Sequence, residues 1–327
     1  MVSTATAPAK IILLGEHFCV HGSPALSMAV NLHAKVKVKD WNQKGLYILS
    51  KNFEVEGIYR DGKYFDLKGG LTGKKILNPV RLAVEEVLKY SKYSIEGLRV
   101  EVDSKIPVGV GFGSSAAISV STIMAVAQHL GLNLSRKEIC RLAYASERYV
   151  HFNPSGVDQT TSTYGGIILY KLGSPIQSLK LKKQPIFVVG NTGIRRITGK
   201  FVKKVDKLKR KRKKLVESML ETAEKIVLEA VKALKNGDWD KLGSLMNENQ
   251  KILSNIGVSH PKLDLLINAA KNAGALGAKL TGGGGGGCMI ALVKPKEWLK
   301  VAQAIRNVGG EVYKVKTDWI GVKTISD

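Results

Sequence analysis

The chain is poor in the residues that build stapled or metal-held folds. Its three cysteines, Cys19, Cys140 and Cys288, stand far apart with no CxxC spacing. That excludes a disulfide frame and a cysteine-built zinc site as the organising device. The six histidines are scattered and form no metal-ligand pair. No apolar run approaches membrane-spanning length, and no signal-peptide pattern opens the chain. The expectation is a cytoplasmic protein with no membrane partner. Internal repeats and a disordered tail are also missing. Acidic residues are scarce: 27 Asp plus Glu face 51 Lys plus Arg, a formal net charge of +24. Such a surplus suits anionic ligands and keeps nucleic-acid association as the alternative partner.

What is present is the make-up of a globular protein. The 327 residues are 44% hydrophobic and 24% charged, enough for a sizeable core and for two domains. Gly173, Ser174 and Pro175 interrupt the pattern near 172–185, which places the expected domains at 1–175 and 176–327.

The stretch from Lys105 to Ala117, KIPVGVGFGSSAA, is the one around which the first half is organised. Before it, Leu98 to Asp103 alternates apolar and polar residues, as a half-buried strand does. After it, Ala116 to Leu130 is apolar at almost every turn and closes with Gly131, which predicts a buried helix with a glycine stop. Between the two lie Gly109, Gly111 and Gly113, then Ser114 as the expected N-cap. A glycine-rich turn feeding a helix N-terminus offers free N–H groups and the positive end of the helix dipole, and both favour phosphate. The same glycines would also serve a tight strand-to-helix turn and nothing more. The lysine of a Walker A loop is missing, and the GxGxxG pattern of dinucleotide folds fails because the alternating glycines run into Ser-Ser.

Around this stretch, Ala9 to Leu14 reads as a strand stopped by Gly15, with Glu16 and His17 following at once. Leu26 to Val30 and Lys35 to Lys39 read as two further strands, and residues 40–73 as hairpins or loops. Asn78 to Tyr90 predicts a helix with Pro79 in its first turn. Ser135 to Glu138 is a capping box opening a helix to about Tyr149, with Glu147 in the last turn. Val157 to Tyr164 is a short helix closed by Gly165 and Gly166, followed by a strand from Ile167 to Leu172. The second half has helical spacing over Phe201 to Leu234, Trp239 to Ile256, Pro261 to Ala273 and about Trp298 to Val308. The basic run Lys209 to Lys214 interrupts the first of these. It carries no interleaved aromatic residues, so it reads as a solvated face. A glycine run ending at Gly287 leads into a strand over Cys288 to Val293, and Val312 to Lys316 and Trp319 to Thr324 are terminal strands.

Three segments stand in a telling order: APAKIILLGEH over Ala7 to His17, PVGVGFGSSA over Pro107 to Ala116, and KLTGGGGGGC over Lys279 to Cys288. Together they resemble the GHMP kinase family, named for galactokinase, homoserine, mevalonate and phosphomevalonate kinases. The resemblance spans nearly the whole chain. Gly15 to Leu26, Pro154 to Asp158 continuing through Ser162 to Gly166, and Arg196-Ile-Thr198 look like the mevalonate kinase branch; Val20-His21 stands where galactokinases carry Asp-Tyr. Ala9 replaces glycine before the lysine, Phe112 replaces leucine, and all six glycine-run positions of the third motif are glycine. None of these departures removes a polar side chain.

The resemblance implies an α+β, two-domain GHMP kinase fold, with an N-terminal ribosomal-protein-like α/β domain and a C-terminal ferredoxin-like α+β domain. It implies ATP-dependent phosphorylation of (R)-mevalonate to 5-phosphomevalonate, with Mg²⁺, on the mevalonate pathway of isoprenoid biosynthesis. By the same resemblance Pro107, Gly109, Val110, Gly111, Phe112, Gly113, Ser114, Ser115 and Ala116 hold ATP. Ser115 and Glu147 supply the Mg²⁺ ligands, with Ser114 as an alternative neighbour. Asp158 serves the acceptor hydroxyl as base or electrostatic partner, and Lys10 beside it offsets phosphate charge. Glu16 and His17 line the acceptor pocket, Arg196 takes the substrate carboxylate, and Thr198 orders the same region. The six glycines let backbone pack closely beside the phosphate loop. Mevalonate is the small-molecule partner, nucleic acid is disfavoured, and a homodimer is the oligomeric form left open.

Overall fold

The computed structural model describes residues 2–94, 96–150, 154–194, 201, 205 and 210–325. The first sheet starts with β1 (Val2–Leu14) and β2 (Ala25–Asp40). The strand β1 begins well before the apolar run that betrays it in sequence. Its first residues, Ser3 to Ala7, are small and buried between two neighbouring strands, so packing rather than side-chain hydrophobicity makes them strand. The two short strands expected over 26–39 are one long strand. Its first part, Ala25 to Met28, pairs with β7 (Ile167–Tyr170), and its second, Ala34 to Asp40, with β6 (Gly97–Ser104). Asn31 at the change of partner is exposed and polar, which breaks the alternation without breaking the strand.

Between β2 and β6 the chain folds β3 (Gly45–Ser50), β4 (Val55–Arg60) and β5 (Lys63–Lys68) as hairpins. The sheet order is β13 (Lys323–Ile325)-β1-β2-β6-β3-β4-β5, with β7 and β8 (Gln177–Ser178) branching from β2. Among the described residues only β3 and β6 run parallel in this sheet. Its last member, β13 (Lys323–Ile325), comes from the end of the described chain and pairs with β1.

Helices α1 (Gly70–Ser91), α2 (Ser114–His129) and α3 (Arg136–Val150) pack as a layer, α2 lying directly on β1 and β2. Pro79 sits in the interior of α1, not in its first turn. The opening residues Gly70 to Lys75 offer little apolar periodicity, yet Leu77 is fully buried and Gly73 packs closely on Lys68 and Tyr64. Tertiary contact therefore extends the helix backwards past the proline. The Pro79 carbonyl accepts the Ser146 hydroxyl of α3 at 2.9 Å. The capping box of α3 forms as expected: Ser135 N donates to Glu138 Oε2 at 2.7 Å, and Glu138 N to Ser135 Oγ at 3.3 Å.

The second sheet is antiparallel, in the order β10-β11-β9-β12, formed by β9 (Ile186–Asn191), β10 (Gly277–Leu280), β11 (Cys288–Val293) and β12 (Glu311–Lys314). It is covered by α6 (Trp239–Asn255), α7 (Pro261–Asn272) and α8 (Trp298–Asn307), and α5 (Lys213–Asn236) packs on α6. The described part of the basic run, Arg210 to Lys214, is exposed at the start of α5, as a solvated face should be. No helix among the described residues is long and apolar enough to cross a membrane.

The two halves meet through motif residues. Thr281, just after β10, reaches β1: Ile12 N donates to its Oγ1 at 3.0 Å, and the hydroxyl donates to Ile12 O at 2.8 Å. Glu16 and Lys279 form a buried ion pair across the same seam. Phe18 is buried inside the core of the second half, beside residues such as Val258 and Leu280. Thr281→Val keeps the shape but leaves two buried backbone groups of Ile12 short of a partner. It is expected to lower the unfolding free energy by about 1–3 kcal/mol, read as a fall in the urea midpoint at unchanged slope.

Candidate active site

The glycine loop ahead of α2 has an unusual backbone. Gly109, Gly111 and Gly113 all lie at positive φ (75°, 99° and 70°), while Val110 and Phe112 between them do not. Alternation of this kind gathers successive N–H groups on one side and forms a concavity suited to an anion. The N-cap of α2 is Gly113, not Ser114, and no side chain caps the helix. The left-handed φ at Gly113 takes the cap position, so Ser114 becomes the first helical residue. The first-turn N–H groups are therefore not spent on a side-chain cap. Val110 and Phe112 turn inward to the core, and the Phe112 ring meets Tyr313 of β12 edge-on at 5.6 Å.

The loop forms the floor of a cavity of about 330 Å³. Its walls are Phe53, Ile76, Pro79, Val80, Val102, Pro107 and Val108, with Gly109, Gly111 to Ser115 and Asp158 below. An apolar slot ending in backbone donors suits a flat base followed by phosphates. The slot walls come from the β3–β4 connection, α1, β6 and the start of the loop that follows it. Of the wall residues only Pro107 is reached from the sequence as a site residue; Phe53, Ile76, Pro79, Val80, Val102 and Val108 are not, because an apolar wall residue carries no signal that separates it from core.

Lys10 runs past this loop. Its main-chain N donates to Phe112 O at 2.8 Å, and a Cβ on Gly113 would lie 2.8 Å from Lys10 Cε. The side chain is 2% exposed and ends 3.0 Å from Asp158 Oδ1. Asp158 is in the first turn of α4 (Val157–Tyr164), whose left-handed N-cap is Gly156. Behind α4, Gly165 packs so tightly on Gly321 that a Cβ there would lie 2.4 Å from its nitrogen.

Glu147, in the last turn of α3, is 1% exposed. Burial first, and then the Asp158 charge, push its carboxyl up to about 8; a hydrogen bond to Ser115 and the charge of Lys10 work the other way. Ser115 and Glu147 thus come together, as the family resemblance implies. Among the described residues no group of three His, Cys, Asp or Glu could hold a metal ion.

Glu16 and His17 are not among the lining residues of this cavity. They stand on the turn after β1, where His17 has φ 64° and the short 3-10 turn Phe18–His21 follows. That turn approaches the Asp158 region from elsewhere. The Cys19 thiol is pushed up to about 11, by burial first, with Asp158 and Glu16 adding to it. Burial raises the Glu16 carboxyl, and the Lys279 ammonium opposes that rise. Arg196 and Thr198 lie outside the described residues. The glycine run packs against both ends of the segment that carries them: a Cβ would lie 2.8 Å from Ile194 O at Gly286 and 1.9 Å from the Phe201 ring at Gly285. At Gly284 it would lie 2.0 Å from Val258 O. The glycines do pack closely, but at Gly284 to Gly286 the near atoms belong to Val258, Phe201 and Ile194 and not to the phosphate loop beside which close packing was expected.

Comparison with known proteins agrees with this geometry. Residues 78–166 match the model of the GHMP kinases N terminal domain, and 230–311 that of the GHMP kinases C terminal domain. The chain belongs to the GHMP kinase family, ATP-dependent kinases acting on an alcohol, and its fold is the family's two-domain α+β arrangement. Within the family it is similar to mevalonate kinases. It is 40% identical to that of Pyrococcus furiosus over 94% of this chain and 93% of the relative. The Methanococcus jannaschii mevalonate kinase structure superposes with a TM-score of 0.79 at 27% identity, covering 97% of this chain and 98% of that one. The L. major mevalonate kinase in complex with R-mevalonate gives 0.79 at 27% identity, over 95% and 94%.

The charge balance of the site makes stability depend on pH. The Glu147 proton leaves the unfolded chain near 4.5, whereas the fold keeps it to about 8. Over that window the folded state binds more protons, so ligand-free stability falls as pH rises. Glu147→Gln should flatten this slope and melt above the parent protein at pH 9, measured as Tm against pH without nucleotide.

Proposed function

We propose that this chain is a mevalonate kinase, transferring the γ-phosphoryl group of ATP directly to the 5-hydroxyl of (R)-mevalonate. The observation that carries the reading is the Lys10–Asp158 pair, 3.0 Å apart, beside the phosphate-binding glycine loop. A carboxylate held there by an ammonium can orient an alcohol and take its proton, and the ammonium faces the incoming phosphate charge.

The base of ATP enters the slot between Phe53, Val80 and Val108, and the N–H groups of Gly109 to Ser115 hold its phosphates. Ser115 and Glu147 fit a hard divalent cation, being a hydroxyl and a carboxylate in hydrogen-bond contact on the loop side of Asp158. Burial leaves Glu147 in need of a positive neighbour to ionise at neutral pH. Mg²⁺ bound there supplies charge neutralisation to the phosphates. Lys10 offsets negative charge on the transferred group. Asp158 orients the hydroxyl and receives its proton as the new O–P bond forms and the bond to the β-phosphate oxygen breaks. His17 and Arg196 serve the acceptor, the guanidinium matching a carboxylate bidentately.

The test is a coupled assay with ATP and, in turn, mevalonate, phosphomevalonate, galactose and homoserine. Turnover of mevalonate is expected, and preference for another acceptor would overturn the reading. Asp158→Asn keeps the shape but cannot take a proton. It should lower kcat by at least about 10³-fold with both KM values nearly unchanged. A fall of less than about tenfold in folded enzyme would remove Asp158 from the chemistry.

A further inference from the structure

The turn after β1 is part of the first half in sequence, but its anchors lie in the second. Lys279 on β10 donates its ammonium to Glu16 Oε1 and, at 2.6 Å, to Leu280 O. Both side chains are fully enclosed, at 0% and 1% exposure. Two residues beyond Glu16, Phe18 is sealed in the second core. His17 is clamped between these anchors with φ 64°. A non-glycine residue holds that left-handed backbone only where its surroundings impose it.

Stability alone does not explain the ion pair. A buried pair of this kind is often matched or exceeded by well-packed apolar residues of similar volume. What an ion pair adds is direction: the carboxylate must face the ammonium, and the backbone bearing it must follow. Two residues further along the chain, Thr281 fixes Ile12 on the strand that leads into the same turn.

We propose that Lys279 is a positioning residue for the phosphoryl acceptor. By fixing Glu16 from the second half of the molecule it sets the backbone at His17, and so the acceptor side of the site opposite the glycine loop. The third motif then has two separate tasks. Its glycines allow close packing, and its lysine shapes the acceptor pocket. The inference rests on the acceptor role given to His17 above.

Lys279→Met retains length and removes the charge. The expected result is a rise of about tenfold or more in KM for mevalonate, with KM for ATP within about twofold of the parent. A merely structural lysine would lower kcat with the folded fraction and leave both KM values unchanged, and that result overturns the inference. An equal change in both KM values overturns it too. If the single variant does not fold, Glu16→Gln/Lys279→Met, which buries no charge, is measured in the same way. The same split is expected of it, and an unchanged mevalonate KM sinks the proposal. His17→Ala separates this idea from the reading beneath it. If that variant uses mevalonate normally, the acceptor role fails and this inference with it. If it loses mevalonate while the lysine variants do not, only the role of Lys279 is wrong.

Discussion

The ion pair between Lys10 and Asp158 is the constraint around which the molecule is arranged. Its two carboxylate-to-ammonium atoms belong to segments nearly half the chain apart, one in the first strand and one in the first turn of a short helix. An ammonium this deeply buried needs an anion. For Lys10 to reach it, the glycine loop must let the side chain pass, so Gly113 can carry no Cβ. The same passage fixes the loop, because the Lys10 backbone is bonded to Phe112. The glycine loop and the Asp158 carboxylate are therefore held in place by one residue, Lys10.

The site is also short of positive charge in its own enclosure. Glu147 and Asp158 lie close enough to raise the Glu147 carboxyl, and Lys10 only partly compensates. A divalent cation and the phosphates it accompanies would complete the set, the cation serving the carboxylates and the N–H groups serving the phosphates. The long-range field points the same way. A chain with a formal charge of +24 draws anionic substrates towards it. The exposed cations at the start of α5 belong to that field and not to the site.

Much of this was legible in the residues. The strand, loop and helix around Gly109 to Ser115 follow from alternation, glycine spacing and apolar periodicity, and the capping box at Ser135 announces α3. The pairing of Glu147 with Ser115 and of Lys10 with Asp158 is what the family resemblance implies, and no local pattern of residues gives it. Other features carry no local signal. The early part of β1 is made of small residues that only neighbouring strands turn into sheet. The first turns of α1, ahead of Pro79, exist because Leu77 and Gly73 pack. Lys279 stood in the third motif as one letter among glycines, and its partner lies in the other half of the molecule, which no periodicity can reveal.

The pairing of β13 with β1 has a consequence for the order of assembly. During synthesis β1 emerges long before β13, the strand that covers its outer edge. Until then β1, buried along nearly its whole length in the folded protein, presents an open row of backbone donors and acceptors, the kind of edge that recruits strands from other chains. The small, partly polar residues Ser3, Thr4 and Thr6 stand along that edge. They give a waiting strand little apolar surface with which to capture a wrong partner.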